Sequence, residues 1–293
     1  MAAKSIFIVT KPVQLINAEN ICNQEKIGNK ILLLVDNFND SYTIKDKIEA
    51  YGFWDYVFIF GTKEKALYES FLFGEVDLYV DGDVGLSFYK TFILSKMLCA
   101  YKRNIRNLFV YEEGIGTYCK NKYNKGLKKN ILSNIGVGVF FGGFYKTKKI
   151  YVYNKELYAY QHKSDKLIVK INEPMFEYVI KNITRFVEYF GDQELLKKEK
   201  TAIVYLSNYT LSLEYIFNIY GKYKNCDFFI KLHPHIKEAI NPEFSCTVID
   251  NKVPFEVAVF KLLLIYDDIV VLHHGSSAGY YIKNVQVSFV KIK

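Results

Sequence analysis

The residues best suited to chemistry in the second half of this chain are Lys231, His233 and Pro234, which follow the apolar run Asp227–Ile230. Such a run is typical of a short buried strand. Because proline has no N–H group and favours an extended conformation in the residue before it, we expect His233 where that strand ends. Open α/β folds bind ligands at the carboxyl ends of their strands. A histidine there can donate a proton or pair with a phosphate, and Lys231 adds a second cation.

In the first half, a second candidate group follows the predicted strand Asn107–Tyr111 and consists of Glu112, Glu113 and Gly114. Adjacent strand residues point to opposite faces, so only one of the two carboxylates should face a ligand, and the sequence leaves open which one. A carboxylate whose pKa is raised by burial can remove a proton from a hydroxyl. Glycine allows a substrate to approach the backbone closely. The alternative is an ordinary solvated turn.

Three further side chains complete the candidate set. Ser276 and Ser277 follow the predicted strand Asp268–Leu272, where hydroxyl and backbone N–H donors could hold an anion or could simply cap a helix. Glu256 lies in the first turn of the predicted helix Pro254–Leu264. It could bind a ribose diol there, or serve only the helix terminus.

These residues must be positioned by strands and helices, and the sequence alternates between the two. The predicted strands are Ile6–Val9, Lys30–Val35, Tyr56–Phe60, Val76–Val80, Asn107–Tyr111, Lys166–Ile171, Ala202–Leu206, Cys226–Ile230, Phe244–Ile249, Asp268–Leu272 and Val285–Val290. The predicted helices include Thr43–Tyr51, Lys63–Phe73, Phe88–Tyr101, Glu173–Phe190, Ser212–Tyr220 and Pro254–Leu264. Alternation of this kind predicts α/β structure with mostly parallel sheets covered on both faces.

The alternation pauses between Cys119 and Tyr153, in a stretch rich in lysine, glycine and aromatic residues. This basic segment could contact an anionic lipid surface or glycan, or be a solvated helix and loop. We expect two domains, residues 1–165 and 166–293, and assign the strand Lys166–Ile171 to the second. Two Rossmann-like domains facing each other across a cleft would resemble the GT-B architecture of many nucleotide-sugar glycosyltransferases.

Composition narrows the functional classes. Half of the 293 residues are hydrophobic, yet no apolar run is long enough for a transmembrane helix. The five cysteines are scattered and the histidines follow no known metal motif, which favours a reducing cytoplasm and predicts no metal site. The net charge of +8 suits an anionic substrate or membrane surface. Because no nucleic-acid-binding module is recognisable, we expect no nucleic-acid partner.

Taken in order, these motifs resemble those of the bacterial sialyltransferases of GT-B fold, which include capsule polysialyltransferases and lipooligosaccharide sialyltransferases. The shared elements are an acidic-acidic-Gly triplet at Glu112–Gly114, a His-Pro pair at His233–Pro234 and a Ser-Ser element at Ser276–Ser277. The segment Lys11–Ala18 also looks like the Thr-Pro-Leu-Gln segment of that group, although Thr10 precedes Lys11 and the match is imperfect. The resemblance spans most of the chain as short motifs separated by unmatched sequence.

The resemblance implies an inverting sialyltransferase that needs neither metal nor cofactor. The donor would be CMP-sialic acid, and the acceptor would be a hydroxyl of a glycan or glycolipid in capsule, O-antigen or lipooligosaccharide. Glu112 corresponds to the family's general base, with Glu113 as the alternative, and His233 would protonate the departing phosphate. The remaining expected substrate contacts are Lys231, Ser276 and Ser277 to phosphate, Glu256 to ribose, and Pro234, Gly114 and Asn17 around the substrate.

Two alternatives remain open from the sequence. The same fold and motifs would serve a transferase that uses CMP-Kdo or another nucleotide sugar. The motifs indicate recognition of the phosphate and the ribose of the donor better than they indicate which sugar it carries. The chain could also be a non-enzymatic component of polysaccharide assembly, held at the inner face of the bacterial inner membrane by its basic segment.

Overall fold

The structure is a computed structural model. It describes residues 4–82, 105–120, 134, 136, 140–193, 195, 199–208, 212–234, 236 and 240–292. The chain divides into two compact units. The first consists of Met1–Asn37 and Ser41–Pro174, and the second of Phe38–Asp40 and Met175–Lys293.

The first unit is built on a parallel sheet. In its described residues seven strands pair in the order β3-β2-β1-β4-β5-β6-β7. The strands are β1 (Lys4–Val9), β2 (Lys30–Val35), β3 (Tyr56–Phe60), β4 (Val76–Asp81), β5 (Ile105–Tyr111), β6 (Thr147–Val152) and β7 (Leu167–Lys170). Chain order reverses between β1 and β4, so the carboxyl ends of these strands form the topological switch point where such sheets bind ligands.

Helices accompany this sheet. They are α1 (Pro12–Gln24), α2 (Ser41–Tyr51), α3 (Lys63–Ser70) and α4 (Lys155–Gln161), with short 3-10 helices at Phe71–Phe73 and Ile115–Tyr118. Proline fits the first turn of α1 because that turn lacks partners for its N–H groups. The α3 N-cap is Thr62, whose side chain accepts a hydrogen bond from the Lys65 N–H group.

Buried polar side chains join β1 to β4 at the switch point. Asp81 ends β4, and its Oδ2 accepts hydrogen bonds from Thr10 Oγ1 at 3.0 Å and Gln14 Nε2 at 2.6 Å. Its other oxygen lies 3.0 Å from Lys63 Nζ. Gln14 Oε1 in turn accepts from the N–H groups of Thr10 and Lys11, at 2.8 and 3.0 Å. The start of α1 is thereby fixed to the end of β1 and to β4.

Three features of the first unit differ from the sequence-based expectation. The strand β6 and the helix α4 were missed, because lysines and glycines obscure the apolar pattern around them. The strand that we had assigned to the second domain, here β7, pairs with β6 over Leu167–Lys170, so the first unit extends to Pro174 and not to residue 165. The predicted helix Phe88–Tyr101 lies outside the described residues.

The second unit repeats this arrangement on a smaller scale. Among its described residues five parallel strands pair in the order β10-β9-β8-β11-β12, with the chain order reversing between β8 and β11. The strands are β8 (Thr201–Leu206), β9 (Asp227–Lys231), β10 (Thr247–Ile249), β11 (Asp268–His273) and β12 (Val287–Lys291). The helices are α5 (Met175–Lys181), α6 (Ile183–Phe190), α7 (Leu213–Tyr220), α8 (Phe255–Leu263) and α9 (Ala278–Tyr281).

The single helix predicted over Glu173–Phe190 is two helices that meet at Asn182. The Asn182 side-chain amide donates to the Tyr178 carbonyl oxygen at 2.8 Å, and its oxygen accepts from Arg185 Nη2 at 2.9 Å. An asparagine that bonds locally to the backbone competes with helix continuation, which explains the break.

The strand β10 is shorter than predicted because its pairing with β9 begins only at Thr247, and Phe244 packs in an aromatic cluster before it. Its ring stacks on Tyr220 with ring centres 4.8 Å apart and lies 5.7 Å from the ring of Phe217.

None of the helices in the described ranges is long and apolar enough to span a bilayer.

We expect Gln14→Ala to destabilise the first unit by about 2–4 kcal/mol, because Asp81 would lose a buried donor and two N–H groups would lose their acceptor. Urea unfolding of the two proteins measures this difference. Thr43→Ala, at an exposed position of α2, is the control and should change stability by less than about 0.5 kcal/mol. Equal unfolding free energies for Gln14→Ala and the wild type would contradict the role given to this network.

Candidate active site

The predicted site residues of the second unit lie at the carboxyl edge of its sheet. Lys231 ends β9 and pairs in register with Leu206 of β8 and Ile249 of β10. Leu206 pairs in turn with His273, the last residue of β11. The other predicted residues follow these strand ends: His233 and Pro234 after β9, Glu256 in α8 after β10, and Ser276 and Ser277 after β11. Parallel pairing therefore brings three separate sequence motifs to one edge.

The amine of Lys231 is enclosed in the protein. The residue is 5% exposed, and its Nζ donates to the Leu232 carbonyl oxygen at 3.1 Å. Burial lowers the pKa of Lys231 to about 7, and the charges of Asp250 and Glu256 oppose that shift. The amine can thus change charge near neutral pH. An anion bound beside it would favour the ammonium form.

Glu256 is enclosed in the same region and is 5% exposed. Burial raises the pKa of this carboxyl group, and the charge of Lys231 opposes the shift. Two buried groups of opposite charge reduce each other's desolvation cost. Glu256 therefore stabilises the charged form of Lys231, and its expected contact with ribose stays a prediction.

His233 is held at the strand end by a residue that the sequence had not singled out. Its N–H group donates to Ser207 Oγ at 2.7 Å, and the Ser207 N–H group donates to the Lys231 carbonyl oxygen at 3.0 Å. Ser207 directly follows β8, next to the switch point of the second sheet. His233 and Pro234 are both half-buried. The turn after β9 is thus fixed by a hydroxyl from the neighbouring strand.

The loop after β11 is organised by His273. The N–H groups of Gly275 and Ser276 both donate to His273 Nδ1, each at 3.1 Å. Ser276 Oγ accepts from the Ala278 N–H group at 3.2 Å, whereas the N-cap residue of α9 is Ser277, whose side chain makes no capping hydrogen bond. The backbone N–H groups of Gly275 and Ser276 therefore already have His273 as their partner. The hydroxyl hydrogen of Ser276 still allows donation to a ligand, since a hydroxyl can accept and donate at once.

In the first unit, Glu112 is fully buried. Its Oε2 accepts from the Tyr118 hydroxyl at 2.5 Å and from the Tyr153 N–H group at 2.8 Å. The Glu112 carbonyl oxygen accepts from Asn17 Nδ2 at 2.9 Å, and Asn17 Oδ1 accepts from the Tyr153 hydroxyl at 2.8 Å. Glu112 and Asn17 therefore bind α1 to the ends of β5 and β6, and Asn17 uses both of its polar atoms for this.

Glu113 is half-buried and its carboxylate reaches the end of the neighbouring strand β4. The carboxylate lies against Gly82, since a Cβ atom added there would come within 2.5 Å of Glu113 Oε2. Gly82 and Gly114 have φ angles of 62° and 135°, which glycine adopts without strain. Of the two adjacent acids, Glu113 is the one next to the switch point of the first sheet.

Sequence reasoning missed three residues of these two edges. Asp81 lies just beyond the predicted strand Val76–Val80 and was not singled out, Lys63 was only the first residue of the predicted helix Lys63–Phe73, and Ser207 was not noticed. An acidic residue at the end of an apolar strand was a usable signal for Asp81. The contact of Lys63 Nζ with the Asp81 carbonyl oxygen, at 2.7 Å, depends on tertiary packing and has no local signal.

A family model described as alpha-2,8-polysialyltransferase (POLYST) matches residues 77–270, which is more than half of the chain. This chain belongs to that family. The matched range contains both acids of the Glu-Glu-Gly triplet, the Lys231–Pro234 segment and Glu256, and ends before Ser276. The resemblance to bacterial sialyltransferases is thereby confirmed, and the polysialyltransferase-family chain is a sialyltransferase-like glycosyltransferase.

Two solved structures share the fold. The UDP-GlcNAc 2-epimerase of Methanocaldococcus jannaschii, in complex with UDP-GlcNAc and UDP, is 11% identical with a TM-score of 0.55, over 98% of this chain and 89% of that one. The wall teichoic acid polymerase TagF, soaked with CDPG, is 13% identical with a TM-score of 0.51, over 94% of this chain and 65% of that one. The α/β fold of GT-B type with Rossmann-like domains is confirmed. No curated protein matches the chain in sequence.

The described part of this polysialyltransferase-family chain contains no group of three or more His, Cys, Asp or Glu residues placed to hold a metal ion. The carboxyl edges of the two sheets carry amine, imidazole, hydroxyl and carboxylate groups. Amine and imidazole groups suit a phosphate, and a carboxylate suits the removal of a proton from a hydroxyl.

The buried amine predicts a specific pH dependence. Because the pKa of Lys231 falls from 10.5 to about 7 on folding, the unfolded chain binds more protons between these values. Stability should therefore rise as the pH increases from about 7 towards 10.5. Lys231→Met removes this contribution. Urea unfolding across this range should show a smaller rise for Lys231→Met than for the wild type, and parallel curves would contradict the burial of the amine.

Proposed function

We propose that the protein is an inverting, metal-independent sialyltransferase that transfers sialic acid from CMP-sialic acid to a hydroxyl of a bacterial surface glycan. Membership of the polysialyltransferase family supports the sugar and the reaction class. The observation that carries the proposal further is the position of Lys231, His233, Ser276 and Ser277 at one carboxyl edge of a parallel sheet, where phosphate-bearing ligands bind in this fold class.

On the donor side, the reaction develops negative charge on the phosphate as its bond to the anomeric carbon breaks. The Lys231 ammonium group stabilises that charge, and the low polarity around it strengthens the interaction. His233 donates a proton to the leaving phosphate oxygen, so CMP departs with less charge. The hydroxyl groups of Ser276 and Ser277 hold the other phosphate oxygens. Ser207 acts through His233, whose position it fixes.

On the acceptor side, a carboxylate accepts the proton of the acceptor hydroxyl as its oxygen attacks the anomeric carbon. Attack opposite to the departing CMP inverts the configuration without a covalent intermediate. The resemblance assigns this base to Glu112. The geometry supports Glu113 instead, because the Oε2 atom of Glu112 is engaged by two donors and Glu112 is fully buried. In this proposal Glu113 is the base, and Glu112 positions the strand end that carries it.

The acceptor and the location also belong to the proposal. The net charge of +8 suits an anionic glycan or glycolipid and an anionic membrane surface, and Lys146 and Lys148 of the basic segment are exposed. We place the protein in the bacterial cytoplasm or on the inner face of the inner membrane, where nucleotide-sugar donors are consumed. The remaining lysines of that segment between 121 and 133 lie outside the described residues.

Donor identity is tested by incubating the protein with an acidic glycan acceptor and each of four donors: CMP-sialic acid, CMP-Kdo, a UDP-sugar and a CDP-linked donor. We expect turnover with CMP-sialic acid and at least about 100-fold less with the others, because buried polar groups that lose their partners reject wrong substrates strongly. Turnover with only CMP-Kdo or only the UDP-sugar would overturn the donor assignment. His233→Ala should abolish transfer from every donor.

The two acids are separated by Glu113→Gln and Glu112→Gln, which preserve side-chain shape. Glu113→Gln should lower kcat by about 100-fold or more while leaving CMP affinity unchanged, because only proton removal is lost. Glu112→Gln should mainly lower the unfolding midpoint and keep kcat within about tenfold of the wild type. The reverse pattern, with Glu112→Gln folded but inactive and Glu113→Gln active, would assign the base to Glu112.

A further inference from the structure

One histidine of the second unit holds the backbone of the loop that carries the Ser-Ser element. His273 is the last residue of β11, and its Nδ1 atom accepts hydrogen bonds from the N–H groups of Gly275 and Ser276, each at 3.1 Å. These bonds reach two and three residues along the chain, as those of an asparagine side chain do in an Asx turn. The proposed transfer reaction has so far given His273 no role.

The two hydrogen bonds fix the protonation state of His273. A ring nitrogen that accepts from N–H groups carries no hydrogen itself, so the neutral ring has its hydrogen on Nε2. A proton added at Nδ1 would face two N–H groups and break both bonds. Burial lowers the pKa of His273, and the charges of Lys291 and His274 act in the same direction. The ring is therefore held in the form that can accept.

The strands on either side of His273 favour the same neutral form. His273 pairs in register with Leu206 of β8 and with Lys291 of β12, and Leu206 pairs in turn with Lys231 of β9. This row of strand ends contains two amines and no carboxylate, so a charged imidazole would meet only like charges in it. The ring of Phe289 is nearly perpendicular to the imidazole, with ring centres 6.0 Å apart.

The contacts of this loop determine which of its groups can meet a ligand. The N–H groups of Gly275 and Ser276 are bound to His273, and the φ angle of Gly275, 117°, allows the tight turn that these bonds need. Ser276 Oγ accepts from the Ala278 N–H group, which leaves its hydroxyl hydrogen for donation. His273 thus fixes the backbone of Ser276, and Ala278 fixes its hydroxyl oxygen.

We propose that His273, in its neutral form with the hydrogen on Nε2, is the positioning residue that holds the Ser276 hydroxyl towards the donor phosphate. The loop then contacts the phosphate through hydroxyl groups, while its two N–H groups stay with His273. The part of this inference that concerns a donor rests on the proposed function. The dependence of the loop on His273 does not.

The loop is tested first without a ligand, by NMR measurement of amide hydrogen exchange at Gly275 and Ser276 in the full chain. His273→Asn keeps an acceptor at the position of Nδ1, whereas His273→Gln moves the acceptor one bond further out. Both amides should exchange at least about tenfold faster in His273→Gln and within about threefold of the wild type in His273→Asn. His274→Gln is the control. It keeps an amide for the contact with the Tyr205 hydroxyl and should exchange like the wild type.

Acid should have the same effect on the wild type as His273→Gln. Below the pKa of His273 the ring gains a proton at Nδ1, so the protection of both amides should fall, after correction for the pH dependence of free amides. The His273→Asn protein has no imidazole at this position and should keep its protection over the same range. Equal loss of protection in the two proteins would overturn the inference, and this comparison also decides the question if His273→Gln does not fold.

Titration calorimetry with CMP and with UMP then tests the link to the phosphate. His273→Gln should weaken CMP binding by about tenfold or more, and His273→Asn should stay within about threefold of the wild type. Equal affinity of folded His273→Gln and the wild type, or no binding of either nucleotide, would overturn the inference. UMP binding that depends on His273, without CMP binding, would keep the inference and remove the proposed donor. Transfer from CMP-sialic acid that His273→Gln leaves unchanged would do the opposite.

Discussion

Parallel pairing of strands is the constraint on which the candidate site depends. In a parallel sheet every strand ends at the same edge, so residues far apart in sequence come together wherever each follows its own strand. In the second unit this places the His-Pro pair, the Ser-Ser element and the start of α8 at one edge. In the first unit it places the Glu-Glu-Gly triplet next to Gly82 at the end of β4. Each motif alone is weak evidence for a functional site. Strand pairing strengthens that evidence because it places the motifs at the same edge of a sheet.

Differences in burial then distinguish residues of similar chemistry. Of the two adjacent acids, Glu112 accepts two internal hydrogen bonds, whereas Glu113 lies half-buried at the switch point. Lys231 and Glu256 are both enclosed, and each opposes the pKa shift that burial imposes on the other. In the proposed reaction, an amine with a pKa of about 7 gains its full charge when the donor phosphate binds beside it, so the charge of Lys231 is coupled to donor binding.

Much of the fold and part of the candidate site could be predicted from the sequence, because apolar runs followed by charged or glycine residues predict strand ends well. The fold class, the family and the placement of the Lys231–Pro234 segment at a strand end came from such signals. The assignment of β7 failed because a strand of four residues carries no information about which sheet it joins. The hydrogen bonds of Asn17, Glu112 and Ser207 could not be predicted for a related reason: whether a polar side chain faces a ligand or another element depends on packing across more than twenty residues of sequence.

In the proposed enzyme, the carboxyl edge of the second sheet holds the phosphate of a cytidine nucleotide. A crystal structure of the protein with CMP is the direct test. We expect the CMP phosphate to lie within hydrogen-bond distance of His233, of Lys231 Nζ and of at least one hydroxyl of Ser276 or Ser277. A CMP phosphate bound away from that edge, with no contact to His233 or Lys231, would rule out this site.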